Sequence, residues 1–306
     1  MMQNKDKMQI FIETDTDRVN LYLSSPKGQK GSYAKYCLRH FTDDFRDGGT
    51  YQNQDIWRFY ELYVGKIQEN TFQADFPYAI LNGGEWECAL RIGGTPDFHG
   101  GLHGYEHQKM VVAMADGQEL TLGTQGSRWA EQVEFCQQSE IYRQGTRDEI
   151  IALHSKHYQF KDGKVMLHQE LLWQQAVTVL YSYMAMLPIK RTSDNTPEGE
   201  VISDRVTIDG GKTVYDVGKE GHQTGISSVA DHVRNVQHAK IWGEQSGICA
   251  ELTINCDFKP CNNFFVQNTK EYNKFYFSFA GDGAGYQTTC GEKWILDTEY
   301  EIYRRQ

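Results

Sequence analysis

The chain has no run of about 18 apolar residues, the length that marks a membrane-spanning helix. It has no CxxC pair, no Asn-x-Ser/Thr sequon and no basic excess. Its formal net charge of −10 argues against a general nucleic-acid or membrane-surface binder, because those partners need a basic face to neutralise phosphate or lipid charge. Seven cysteines, an odd number, signal neither a disulfide framework nor a zinc ribbon, so reduced thiols are expected. Six prolines in 306 residues argue against a disordered Pro-rich linker. The first residues, MMQNKDKMQIFIETD, are charged and lack the apolar stretch of a signal peptide. They read as the start of a soluble, cytoplasmic chain; the same start on a chain whose leader has been cut would read as secreted or periplasmic.

What is present is a β pattern. Short runs of aromatic and β-branched residues are separated by Gly, Asp and Asn turns over most of the length, as in antiparallel sheets. Four candidate hairpins carry turn chemistry at Asp116-Gly117, Asp162-Gly163, Asp209-Gly211 and Asp282-Gly283. The segment 127–144 is ambiguous between helix and strand. Length and composition predict an all-β fold, a large antiparallel β-sandwich forming a single domain over 1–306, with a polar loop or internal boundary at 190–204.

The chemistry-bearing residues concentrate in FHGGLHGYEH, 98–107. Glycines there let the backbone turn sharply and let a ligand approach closely. A zinc site from His99, His103 and Glu106 or His107 would need a helix to align the histidines, and Gly100, Gly101 and Gly104 argue against one, so no metal is expected. An acid–base site needs only an imidazole and a phenol or carboxylate converging on a substrate; the ordinary alternative is histidines that cap turns. In LHSKHYQFKDGKVMLHQE (153–170) strand alternation puts His154 and Lys156 on one face and His157 with Gln159 on the other. In VTVLYSYMAMLPIKR (177–191) Tyr181 and Tyr183 share a face, and Lys190 and Arg191 close the run. A buried central strand is the ordinary reading. Trp57, Tyr60, Trp86 and Trp242 could stack on sugar rings, although large aromatics more often fill cores.

The FHGG of 98–101, SYMAMLPI of 182–189 and GEKWILDTEYEIY of 291–303 resemble the galactose-mutarotase-like β-supersandwich, shared by aldose epimerases and by sandwich domains of polysaccharide lyases and hydrolases. The resemblance implies a carbohydrate substrate and no redox cofactor. In aldose epimerases a His protonates the ring oxygen and a Glu is the base. The family's His-Pro-Tyr-Phe is nearest to His157-Tyr158-Gln159-Phe160, which lacks the proline, and the stretch bearing the Glu has no counterpart.

The leading expectation is a lyase cleaving a uronic-acid glycan by β-elimination. His99 and His103 would serve as base or carboxylate neutraliser, Tyr183 or Tyr105 as proton donor, and Arg191 with Lys190 as the basic contact. Glu106, His157, Tyr181 and Trp57 would complete substrate binding, with calcium an optional carboxylate neutraliser. The alternatives are an aldose 1-epimerase-like mutarotase, using His99 and His157 with an unassigned Glu, and a non-catalytic glycan-binding module.

Overall fold

A computed structural model describes residues 8–42, 54–77, 79–81, 86–146, 148–193, 199–219, 226 and 233–306. Among them all regular structure is β-strand, apart from one 3₁₀ turn at Gly101–His103. Sixteen strands form one large sheet and six form a smaller one.

The segment 127–144 resolves into the strands Gly126–Ala130 and Gln132–Tyr142. Val133, Phe135, Gln137, Ser139 and Ile141 alternate inward along the second, a period of two that no helix could bury. The centre of the large sheet runs Glu106–Ala115, Gln132–Tyr142, Ile150–Lys161, Lys164–Trp173, Lys293–Arg304 and Ile248–Cys256, all antiparallel. Where Glu106–Ala115 meets Gln54–Gln68 the pairing is parallel, at Gln54 with Glu106 and Asp55 with His107. The Lys293–Arg304 strand thus sits mid-sheet, pairing His168 with Asp297 across 129 positions of sequence.

Three Asp-Gly turns form the expected hairpins, as in Lys161 paired with Lys164 around Asp162-Gly163. The fourth does not. Tyr272–Ser278 and Tyr286–Gln287 lie end to end along the same neighbour, Thr178–Lys190, instead of pairing with each other. Hydrogen bonds from Phe279 N to Ser182 O and from Gly283 N to Leu180 O tie the connection to that neighbour, so the chain bends without reversing.

The smaller sheet runs Asn263–Asn268, Tyr272–Ser278, Thr178–Lys190, Ala89–Ile92 and Phe98–His99. One face packs on the large sheet around Phe59, Trp86, Tyr158, Phe160 and Tyr300, all fully buried. Burying each such ring contributes about 1.5–3 kcal/mol. Its other face carries a second cluster of Ala89, Tyr183, Met186 and Phe265, edged by Phe98, Tyr181 and Tyr276. Of the polar stretch 190–204, residues 194–198 lie outside those described; Thr192 and Val201 bridge its two arms.

Candidate functional site

Strand alternation on Tyr272–Ser278 puts Phe275 and Phe277 into the core and Lys274 and Tyr276 on the opposite face. On Thr178–Lys190 the register shifts between Tyr183 and Ala185. That bulge lets Tyr183 and Met186, three apart, face the same way. With Ala89, Phe98, His103, Phe265 and Gln267 these residues line a cavity of about 300 Å³. Its walls are aromatic: Phe265 and Tyr276 stack at 4.9 Å and 5°, Tyr183 meets Tyr276 edge-on at 4.6 Å, and Phe98 stacks on Tyr183 at 5.8 Å. The His103 ring lies 5.1 Å from that of Phe98. The Lys274 ammonium sits 4.4 Å from the centre of the Tyr276 ring, within cation–π range. Burial, assisted by neighbouring Tyr181, raises the Tyr183 phenol well above its ordinary pKa, so it holds its proton. The lining residues include no carboxylate.

The glycine loop answers a steric demand. A Cβ on Gly101 would stand 2.7 Å from Glu87 O and 2.9 Å from Cys88 O, and one on Gly100 would meet Cys88 Sγ at 2.8 Å, both residues having positive φ. The loop lies directly on the 87–88 backbone. Gly101→Ala should therefore destabilise the fold by about 1–3 kcal/mol and displace the turn that carries His103; denaturant titration with the His103 NMR resonances checks both.

The other expected site residues are placed elsewhere. His99 is buried beneath the loop, its Nδ1 bonded to Leu90 O at 3.2 Å and its Nε2 accepting from Gln144 N at 3.0 Å. Burial lowers its pKa to about 4, so both nitrogens serve the backbone and the ring stays neutral. Tyr105 packs at 5.7 Å from His99, with φ 56°. Tyr181 stacks on Tyr183 at 5.7 Å, beside the cavity lining. Arg191 is buried and committed to the fold: its guanidinium donates to the carbonyls of Thr269, Gly218 and Lys270 at 2.7–3.0 Å, clamping two backbone segments. Lys190 precedes it at the strand's end, outside the cavity lining. Trp57 is core, stacked on His40 at 5.2 Å, and Trp86 is fully buried against Phe59 at 4.4 Å. His157 points to the far face of the large sheet, 3.3 Å from Glu134, and lines a separate cavity there with His168.

Glu106 faces inward, fully buried among His154, Lys156, Ser139 and Glu87. Its Oε1 accepts from Ser139 Oγ at 2.5 Å and His154 Nδ1 at 2.9 Å, with Lys156 Nζ at 3.8 Å; Oε2 accepts from Gly101 N at 2.7 Å. Burial pushes this carboxyl up, but Lys156, His154 and Ser139 outweigh it and hold it well below the usual carboxylate range. Glu87, bonded by Tyr158 at 2.6 Å, moves the other way because burial dominates. Among the described residues no three His, Cys, Asp or Glu side chains converge as metal ligands.

Sequence reading thus brought His103 and Tyr183 to one cavity and missed Phe265, Gln267, Lys274 and Tyr276. The alternation in NKFYFS signalled the last two, since it sets Lys274 and Tyr276 on one face.

No protein-family model matches the chain, and no curated protein matches it. Among solved structures, a putative mutarotase from Salmonella typhimurium is 10% identical, with 99% of this chain and 96% of that one covered at a TM-score of 0.44. A putative aldose 1-epimerase from Klebsiella pneumoniae is 9% identical, with 90% and 85% covered and a TM-score of 0.41. The galactosidase domain of an alpha-galactosidase–sucrose kinase is 8% identical, at a TM-score of 0.49 over 96% of this chain. This chain spans 42% of that protein's length. At such identities the likeness concerns the fold.

Proposed function

We propose that the aromatic cavity on the smaller sheet binds a sugar, and that His103 and Tyr183 catalyse interconversion of its anomers. The observation that carries this reading is their convergence on one cavity whose flat rings match the apolar C–H face of a pyranose. Opening the ring requires a base to take the anomeric hydroxyl proton and an acid to protonate the ring oxygen as the C1–O5 bond breaks. Rotation about C1–C2 and the reverse steps give the other anomer. The His103 imidazole is the base in this reading. The Tyr183 phenol, kept protonated by burial, is the donor at the ring oxygen.

The reading displaces uronate β-elimination as the leading one, because Arg191, expected as the basic contact, is held by backbone carbonyls, and His99, expected as base or carboxylate neutraliser, is buried with both ring nitrogens bonded to backbone. A second reading, a non-catalytic glycan-binding module, is favoured by the stacked Phe265–Tyr276 platform and the absence of a carboxylate from the lining.

Freshly dissolved α-D-glucose and α-D-galactose, followed by polarimetry with and without protein, separate the readings. Faster equilibration, reduced at least about 10²-fold in kcat in His103→Ala with the circular dichroism of the folded chain retained, is the expected result. Saturable binding without acceleration would leave the module. Unsaturated uronate products from a panel of uronate glycans would restore the lyase.

A further inference from the structure

A single file of buried side chains joins the two walls of the cavity. At one end the Gly101 amide, two residues before His103, donates to Glu106 Oε2 at 2.7 Å. Glu106 Oε1 accepts from His154 Nδ1 at 2.9 Å, His154 Nε2 meets Gln169 Oε1 at 3.3 Å, and Gln169 Nε2 donates to the carbonyl of Met184 at 2.7 Å. Met184 adjoins Tyr183. Glu106, His154 and Gln169 are all fully buried and stand on three strands of the large sheet, while Met184 belongs to the smaller one. Both ends of the file are backbone groups, one in the turn that carries His103 and the other on the residue after Tyr183.

We infer that Glu106, His154 and Gln169 are positioning residues, which fix the Gly101–His103 turn and the Tyr183 backbone relative to each other and so set the separation of the imidazole and the phenol. The inference rests on the acid–base reading above. Geometry supports it in two ways. A well-packed apolar interior would be as stable as a buried ionic one, so stability alone does not call for charge here. The file also has a fixed polarity: Gly101 donates, Glu106 accepts at both oxygens, and Gln169 turns its oxygen to His154 while its amide nitrogen donates to the Met184 carbonyl. Reversing the Gln169 amide would set its oxygen against the Met184 carbonyl. The neighbouring bond from Tyr158 to Glu87 lies in the same interior but is not one of the file's hydrogen bonds.

The test uses the full chain carrying Gln169→Met, Glu106→Gln or, as a control for general loosening of the interior, Tyr158→Phe. Gln169→Met keeps volume and removes both hydrogen bonds; it remains informative where Glu106→Gln does not fold. Anomer interconversion of α-D-galactose gives kcat and KM, and NMR gives the His103 ring resonances and the Gly101 amide exchange rate. Gln169→Met and Glu106→Gln should lower kcat about tenfold or more with KM changed less than about threefold, since small misplacements of reacting groups fall mainly on kcat. The His103 resonances should shift or split in both. Tyr158→Phe should lower stability while kcat and those resonances stay as in the wild type. Unchanged kcat and unchanged His103 resonances in both file variants would overturn the inference. If the wild type accelerates no interconversion, the acid–base reading falls instead, and the His103 resonances and Gly101 exchange alone decide whether the file positions the turn.

Discussion

Glu106→Leu should destabilise the fold by about 3–5 kcal/mol, the loss typical of removing one partner from a buried ionic group. The carboxylate is the acceptor on which four donors converge: Gly101 N, Ser139 Oγ, His154 Nδ1 and, at 3.8 Å, Lys156 Nζ. Leucine takes the acceptor away from the Gly101 amide, the Ser139 hydroxyl and the His154 ring in a dry interior, and leaves Lys156 only Glu87, at 3.9 Å. Lys156→Met should be milder, because Glu106 retains His154, Ser139 and the amide while the Glu87 carboxyl, its pKa already raised by burial, takes up a proton. Denaturant unfolding of the two variants at neutral pH measures both. A loss below about 1 kcal/mol for Glu106→Leu would mean that the site relaxes or admits water. The pH dependence has a definite sign. A carboxyl held below its ordinary pKa contributes stability that is complete above the usual carboxylate range and disappears as pH falls through its depressed value. Glu106→Gln should remove that acid-sensitive part.

His99 gives the second large effect, in a different pH window. Its pKa falls from 6.5 in the open chain to about 4 in the fold because burial disfavours the imidazolium, and its two nitrogens already serve Leu90 and Gln144. The unfolded chain binds a proton below about 6.5 that the folded chain refuses until about 4. Stability should therefore be level above pH 6.5, decline between 6.5 and 4, and level again below, as far as this residue is concerned. The full depression converts to about 3 kcal/mol. His99→Gln should flatten that interval, and guanidinium titrations at several pH values on both proteins would reveal it. Parallel curves for the two would show that His99 is not the group responsible.

His99 also illustrates what the sequence could and could not reveal. Alternation and Asp-Gly turns gave the all-β class, three of the four hairpins and the shared face of His154 and Lys156, since these depend on residues close in sequence, but not that this face is buried. The fourth, at Asp282-Gly283, failed because bonds to Ser182 and Leu180, a hundred positions away, decide its path. The site was half legible. FHGGLHGYEH held a functional candidate, but which histidine reached a cavity depended on how the loop lies on residues 87 and 88, a contact with no local signature. His99 turned under the loop and His103 over it. Arg191, which by composition could serve any anion, found three carbonyls supplied by distant segments. Tyr183 and Met186 came together through a bulge, and bulges leave little trace in a hydrophobic pattern.

The mid-sheet position of Lys293–Arg304 bears on how the chain reaches this structure. Its two neighbours, Lys164–Trp173 and Ile248–Cys256, have no other link to one another in the large sheet. Until it arrives, each presents a long row of unpaired amides and carbonyls, the kind of edge on which strands of other chains can dock. Pairing across 129 positions also raises the contact order, and with it the time the chain spends incomplete. Folding should thus be slow and concentration-sensitive during synthesis, and a chain cut short before residue 293 should aggregate rather than fold as a smaller sandwich.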